Sequence, residues 1–351
     1  MSERARRFHA NAYVGVAYIT GGGTGFLSEL LSTPGASRSV LEASVPYAFD
    51  ALSERLGSAP AQACSQATAT ALAMAAFDRA LHFESPEPFG LACTASLATD
   101  REKRGAHRAH IALQTRQHSY ALEVQPAGDR REEERQLVDH LWAIAGILDG
   151  AAPPAETSIA SAEPSWPALA VGETSAICTQ EHDGRLLLPG SFNPMHHGHL
   201  HLLHAAEAHT GLKGALEMSI INVDKPPLDY GAIHARLEGV NELANVPVWL
   251  TRLPTFLAKA HRFPGSTFAV GADTVVRIDQ AKYYGTVYER DAAIDTLTEL
   301  ESRFLVFGRL VDGHFSTLDE LPLSEKLRGL CEGVPEEAFR HDVSSTQIRN
   351  G

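Results

Sequence analysis

Apolar residues in this chain come in short continuous runs, separated by stretches where they recur at helical spacing. The run Ala12 to Ile19 (AYVGVAYI) predicts a buried strand. A Gly-rich turn, Thr20-Gly21-Gly22-Gly23-Thr24-Gly25, and a helix-like FLSELLS follow it. Leu41 to Tyr47 predicts a second strand. Ser65 to Leu81 predicts an Ala-rich helix with Ser65 as N-cap. Phe89 to Ala98, His110 to Thr115 and Tyr120 to Gln125 read as further strands, and Arg131 to Leu148 as a helix with an acidic first turn. Residues 1–10 read as a frayed polar lead, and DREKRGAHR as a solvated charged loop.

The later half alternates more regularly. Strands are expected at 186–188, 215–222, 247–251, 267–271 and 303–308. Helices are expected at 199–209, 231–244, 255–261 and within 272–302. Repeated βα units with short links predict a doubly wound parallel sheet of Rossmann-like type. The first half predicts an α/β sandwich. Between them, AAPPAETSIASAEPSWPALA has linker composition. The expected organisation is a first domain over 1–150, a linker over 151–183 and a second domain over 184–351.

Charge narrows the partners. A formal net charge of −13 leaves no general basic face for nucleic acid or an anionic membrane. It leaves room for a small phosphorylated ligand held by a few local cations. The cysteines, Cys64, Cys93, Cys178 and Cys331, are scattered without a CxxC pair, which suits a reduced, cytoplasmic protein. No signal peptide and no membrane-length apolar span is read.

The densest chemistry lies in LLLPGSFNPMHHGHL, residues 186–200. An apolar strand leads to a Gly/Ser/Asn/Pro turn, then to imidazoles flanking Gly198 where an amphipathic helix begins. Gly190 lets main chain approach a ligand, and the helix start offers N–H donors and a positive dipole end. His196 and His199 add side-chain donors. This is a nucleotide-phosphate site. His197, His201 and His204 share a helix face with the pair, so a zinc site is the alternative, although no carboxylate or thiol lies nearby in sequence. The loop after Thr20 is weaker: it reads either as a phosphate cradle or as a tight turn that needs positive φ.

GSFNPMHHGHL resembles the first signature of the HxGH nucleotidyltransferase superfamily, with His196-His197-Gly198-His199 as its HxGH element. Val343-Ser344-Ser345-Thr346-Gln347-Ile348-Arg349 resembles the second signature. Within the superfamily, NVDKPPLD, Arg236 and Gly271-Ala272-Asp273 most resemble nicotinamide mononucleotide adenylyltransferases. The resemblance covers roughly 184–349. It implies catalytic His196 and His199, and nucleotide contacts from Gly190, Ser191, Phe192, Asn193, Gly271, Asp273, Ser344, Ser345, Thr346 and Arg349. Lys225 and Arg236 would neutralise the acceptor phosphate. Mg2+ would arrive with ATP, with no direct protein ligand to a metal. The implied reaction joins ATP to nicotinamide or nicotinate mononucleotide and releases pyrophosphate. Alternatives are another HxGH transfer, with CTP or ATP, onto a phosphorylated alcohol, and a non-catalytic nicotinamide-nucleotide sensor.

The stretch ITGGGTGFLSELLSTPGASRSVLEASVPY resembles the CinA C-terminal family, whose active members are nicotinamide mononucleotide deamidases. The resemblance covers roughly 12–148. It places the family's serine at Thr20 and its tyrosine at Tyr47, beside Gly21 and Gly22, and its lysine at Leu52. A hydroxyl nucleophile needs a base, and leucine is none. The expectation is a vestigial deamidase fold that binds ligand or forms a homo-oligomer.

Overall fold

The computed structural model describes residues 2–100, 105–223, 225–311 and 314–337. The chain divides into two units. One comprises Met1–Val171 with Asn222–Ile233, the other Gly172–Ile221 with His234–Gly351.

In order, the first unit holds α1 (Glu3–Phe8), β1 (Val14–Thr20), α2 (Thr24–Ser32), β2 (Val40–Ser44), α3 (Phe49–Leu56) and α4 (Gln66–His82). Then come β3 (Pro88–Ser96), β4 (Arg108–Gln114), β5 (His118–Val124), α5 (Arg130–Ala145), β6 (Ser158–Ser161) and α6 (Trp166–Ala170). The strands form one sheet in the order β2-β1-β3-β4-β5-β6. β1 pairs in parallel with β2 and β3, and the remaining pairs are antiparallel. β1 is apolar on both faces because both are covered. Ala17, Ile19, Leu91 and Cys93 join the core containing Phe26, Leu137 and Trp142. Val16, Tyr18, Ala92 and Ala112 meet α4. The alanines of α4 serve close approach: a Cβ on Gly90 would lie 2.1 Å from the Ala73 carbonyl oxygen.

The second unit begins with β7 (Ala176–Cys178), β8 (Leu186–Pro189), α7 (His197–Thr210) and β9 (Ala215–Ser219). α8 (Tyr230–Leu243), β10 (Val248–Thr251), α9 (Phe256–Arg262), β11 (Thr267–Gly271) and α10 (Ala272–Ile278) follow. The described part ends with α11 (Val287–Glu299), β12 (Arg303–Phe307), β13 (Arg309–Val311), β14 (His314–Ser316), α12 (Glu325–Arg328) and β15 (Cys331–Val334). Its main sheet runs β15-β12-β11-β8-β9-β10-β7, parallel except for β7. Counting the parallel strands from β8, the order is 3-2-1-4-5-6, the Rossmann order. The two-unit α/β expectation holds in both sheets.

Where expectation and structure differ, local packing explains it. The polar lead forms α1, because Ser2 caps it, Arg4 pairs with Glu29 and Asp139, and Ala5 and Phe8 are buried. The linker composition hides two edge strands and a helix. β6 adds to β5 and β7 to β10 through main-chain pairing that needs little apolar sequence. Segment 222–233 was expected inside the second domain, but it counts with the first unit. There the Tyr230 hydroxyl donates to the Arg116 carbonyl and its amide to Ser119 Oγ. All four cysteines are free. Among the described residues no helix is long and apolar enough to cross a membrane.

A buried ion pair sits in the second sheet. Lys259 Nζ of α9 donates to Glu217 Oε1 on β9 at 2.8 Å and to the Leu253 carbonyl at 2.7 Å. Thr251 on β10 donates to the same carboxylate. Both charged side chains are nearly water-free, at 7% and 1% exposure. Such a pair is costly to break singly, because the survivor stays buried and uncompensated. We expect Glu217→Gln to destabilise the second unit by about 3–5 kcal/mol, and Glu217→Leu with Lys259→Met to recover most of that. Urea unfolding followed by Trp249 fluorescence checks both.

Candidate nucleotidyl-transfer site

The site begins where the central strands part. β8 pairs with β11 only at Leu186↔Thr267 and Leu187↔Phe268, whereas its pairing with β9 continues to Pro189↔Glu217. The Gly190 amide extends that ladder to the Glu217 carbonyl. Beyond Leu187 the chain therefore leans towards β9, away from β11. Ligands bind at such a switch point in this architecture. The loop 190–196 leaves one side of the opening, and Gly271-Ala272-Asp273 the other.

Phe192 shapes the loop. Its φ is 44°, its ring is buried, and a Cβ on Gly190 would meet that ring at 2.7 Å. Glycine at 190 is thus a packing requirement as well as room for a ligand. Phe192 meets the His199 ring edge-on at 5.2 Å, and His199 stacks on His196 at 3.8 Å. His196 is the N-cap of α7, with extended backbone, and His199 lies three residues on. The His196 amide donates to His199 Nδ1 at 3.3 Å. That bond puts the proton of a neutral His199 on Nε2, where it can be donated to an oxyanion. Leu200, Leu203 and Ala206 of the helix are buried.

The remaining imidazoles point elsewhere. His197, His201 and His204 are exposed, and the rings of His197 and His201 are 6.4 Å apart. Among the described residues no group of three or more His, Cys, Asp or Glu is placed to hold a metal ion. Ser191 and Asn193 are exposed in the loop. Arg236 Nη1 donates to the Ser191 carbonyl at 3.0 Å, so this cation braces the loop. Asp273 is exposed in the first turn of α10, its carboxylate 2.9 Å from where a Cβ on Gly271 would stand. Lys225 is exposed in the segment counted with the first unit. Ser344, Ser345, Thr346 and Arg349 lie outside the described residues.

In the first unit the glycine loop resolves in favour of packing. Gly21 and Gly23 have φ of 79° and 87°, and a Cβ on Gly21 would sit 1.9 Å from the Ala95 carbonyl oxygen. Two of the amides at the start of α2 are taken. Gly23 and Gly25 donate to the Glu134 carboxylate at 2.8 and 3.2 Å, and Arg130 donates to the Gly21 carbonyl. Sequence reading missed Glu134; its one signal is the acidic run opening α5. The Thr20 hydroxyl is buried and donates to the Pro46 carbonyl at 2.9 Å. Leu52 is 2% exposed, in the core beside Val16 and Tyr18, and Tyr47 is 65% exposed.

Comparison with known proteins separates the two parts. Residues 187–351 match the cytidylyltransferase-like family model. No curated protein matches the chain significantly. Solved structures match the N-terminal part. The competence/damage-inducible protein CihA of Agrobacterium tumefaciens is 20% identical, with 42% of this chain and 93% of that one covered at a TM-score of 0.35. A CinA superfamily protein of Klebsiella pneumoniae is 16% identical, with 42% and 94% covered at 0.35. A competence or damage-inducible protein of Enterobacter asburiae is 14% identical, with 42% and 96% covered at 0.36. With the loop, the paired histidines and the switch point in place, residues 187–351 are similar to the cytidylyltransferase-like family, and the chain carries a nucleotidyltransferase domain.

Proposed function

We propose that the second unit transfers AMP from ATP to nicotinamide or nicotinate mononucleotide. The observation that carries this reading is the stacked His196–His199 pair at the start of α7, with Nδ1 of His199 accepting from the His196 amide. A phosphate oxygen of the mononucleotide attacks the α-phosphorus of ATP. The new P–O bond forms as the bond to the β-phosphate oxygen breaks, and pyrophosphate leaves. Negative charge grows on the nonbridging and leaving oxygens, so no nucleophilic side chain is needed. Positioning and donors aimed at those oxygens supply the catalysis. His196 and His199 hold the triphosphate, Gly190 and Gly271 admit it closely, and Asp273 accepts from ribose hydroxyls. Imidazoles and main-chain amides donate well but carry little fixed charge, a donor set suited to a triphosphate that brings its own cation. Mg2+ bound to ATP would supply that neutralisation.

The acceptor assignment draws on the resemblance at NVDKPPLD, Arg236 and Asp273. A second reading, CTP-dependent transfer to a phosphorylated alcohol, is favoured by the cytidylyltransferase-like match and by Arg236 being committed to the loop. One assay separates them. With magnesium, ATP or CTP, and a panel of phosphomonoesters, pyrophosphate release and a dinucleotide product are followed. We expect NAD or its acid analogue from ATP, and a loss of at least about 100-fold in kcat/KM for His199→Ala. Product with CTP alone rejects the first reading; binding without turnover favours a sensor.

For the first unit we propose a ligand-binding or assembly role without deamidation. Thr20 gives its proton to a carbonyl, and position 52 is filled by a core leucine. Incubated with nicotinamide mononucleotide, the full chain should release no ammonia above background. Release that disappears in Thr20→Ala would overturn this.

A further inference from the structure

Two exposed cations, Arg277 and Lys282, lie at the end of α10 and in the loop between α10 and α11. The direction of α11 places that loop. The Gly265 amide, just before β11, donates to the Leu300 carbonyl at 2.8 Å, so α11 ends at the N-terminal edge of the sheet. α11 has 13 residues, about 20 Å at ~1.5 Å each. β11 has five, about 17 Å at ~3.3 Å each. The helix therefore spans the strand length, and its start at Val287 stands at the level of the sheet's C-terminal edge. Arg290 in its first turns donates to the Asp279 carbonyl at 3.2 Å, and Ser324 Oγ donates to the Asp279 carboxylate at 2.7 Å, tying the end of α10 to the same level.

Cations and aromatic rings are concentrated there. Arg277 shares the exposed face of α10 with Asp273, one turn away. The Arg277 guanidinium lies 5.6 Å from the Tyr283 ring centroid, and Lys282 Nζ lies 4.9 Å from it. A hydrogen bond from Arg277 holds the Tyr283 hydroxyl below the usual phenol range. Tyr288 beyond it is 89% exposed. In a chain of net charge −13, two cations braced on one ring at the crevice edge form a local anion site.

We propose that Arg277 and Lys282, oriented by Tyr283, bind the phosphate of the phosphomonoester acceptor. This rests on the nucleotidyl-transfer reading and names its acceptor subsite. The guanidinium fork suits a phosphate oxygen pair, and the ammonium adds a point charge. Tyr288 offers its exposed ring to the acceptor's base.

The test uses the full chain and the variants Arg277→Gln, Lys282→Met and their combination, all exposed positions whose folding is checked by circular dichroism. In the pyrophosphate assay, the double variant should raise the acceptor KM at least about 30-fold while the ATP KM stays within about twofold. Lys282→Arg should restore most of the loss. Equal rises in both KM values, or no rise in either, overturn the proposal. If another phosphomonoester replaces nicotinamide mononucleotide as acceptor, the substrate reading fails while this subsite is still measured with that compound. If nothing turns over, calorimetry with nicotinamide mononucleotide and, separately, inorganic phosphate decides. Measurable binding weakened tenfold or more in the double variant supports the subsite. Absent binding, or binding unchanged by the substitutions, rejects it.

Discussion

The parting of β8 from β11 is the constraint on which the active unit depends. Two parallel strands share hydrogen bonds for two residues and then separate, because β8 continues its ladder with β9 through Glu217. The separation opens the sheet at one place. The loop before α7 and the start of α10 flank that opening. Glu217, buried in its pair with Lys259 of α9, lies on that same strand, β9. The strand supporting the loop is thus anchored by a charge pair that tolerates little displacement.

The loop shows how a short motif acquires geometry. Gly190, Phe192, His196 and His199 are a single packed object: a ring under a glycine, then two imidazoles, one stacked on the other and one edge-on to the phenyl. Packing fixes the rings, and one main-chain amide fixes the tautomer of His199. A donor that is already oriented costs nothing further to reorganise as charge develops on the phosphate. The first unit offers the contrast. Its glycine loop also opens a helix, but an internal carboxylate takes the donors, so the same local feature becomes a structural joint.

Periodicity alone made most of the regular elements legible. β1 and β11 are continuous apolar runs, and the buried residues of α4 and α7 recur at helical spacing, so the pattern reports their faces. The elements it missed, among them α1, α3, α6, β6, β7 and β15, are short or lie at sheet edges, and main-chain pairing or a few buried side chains hold them. No periodic signal survives at that length. That His196 and His199 stand at a helix start was legible from their spacing after the Gly/Ser/Asn/Pro turn. That Arg236 reaches the Ser191 carbonyl was not, because a lone cation in sequence says nothing of what it faces.

The sequence by itself determined the class of each unit and the position of the glycine- and histidine-rich loop at 190–199. Those follow from residue type and near-neighbour spacing, which are local. Only the tertiary structure decided that Glu134 fills the first glycine loop, 109–111 residues away in the chain. It also decided that Arg236 braces Ser191, and that segment 222–233 counts with the first unit. Each of these is a pairing between groups remote in sequence. Such pairings are set by where the strands place the backbone, so no reading of spacing along the chain could reach them.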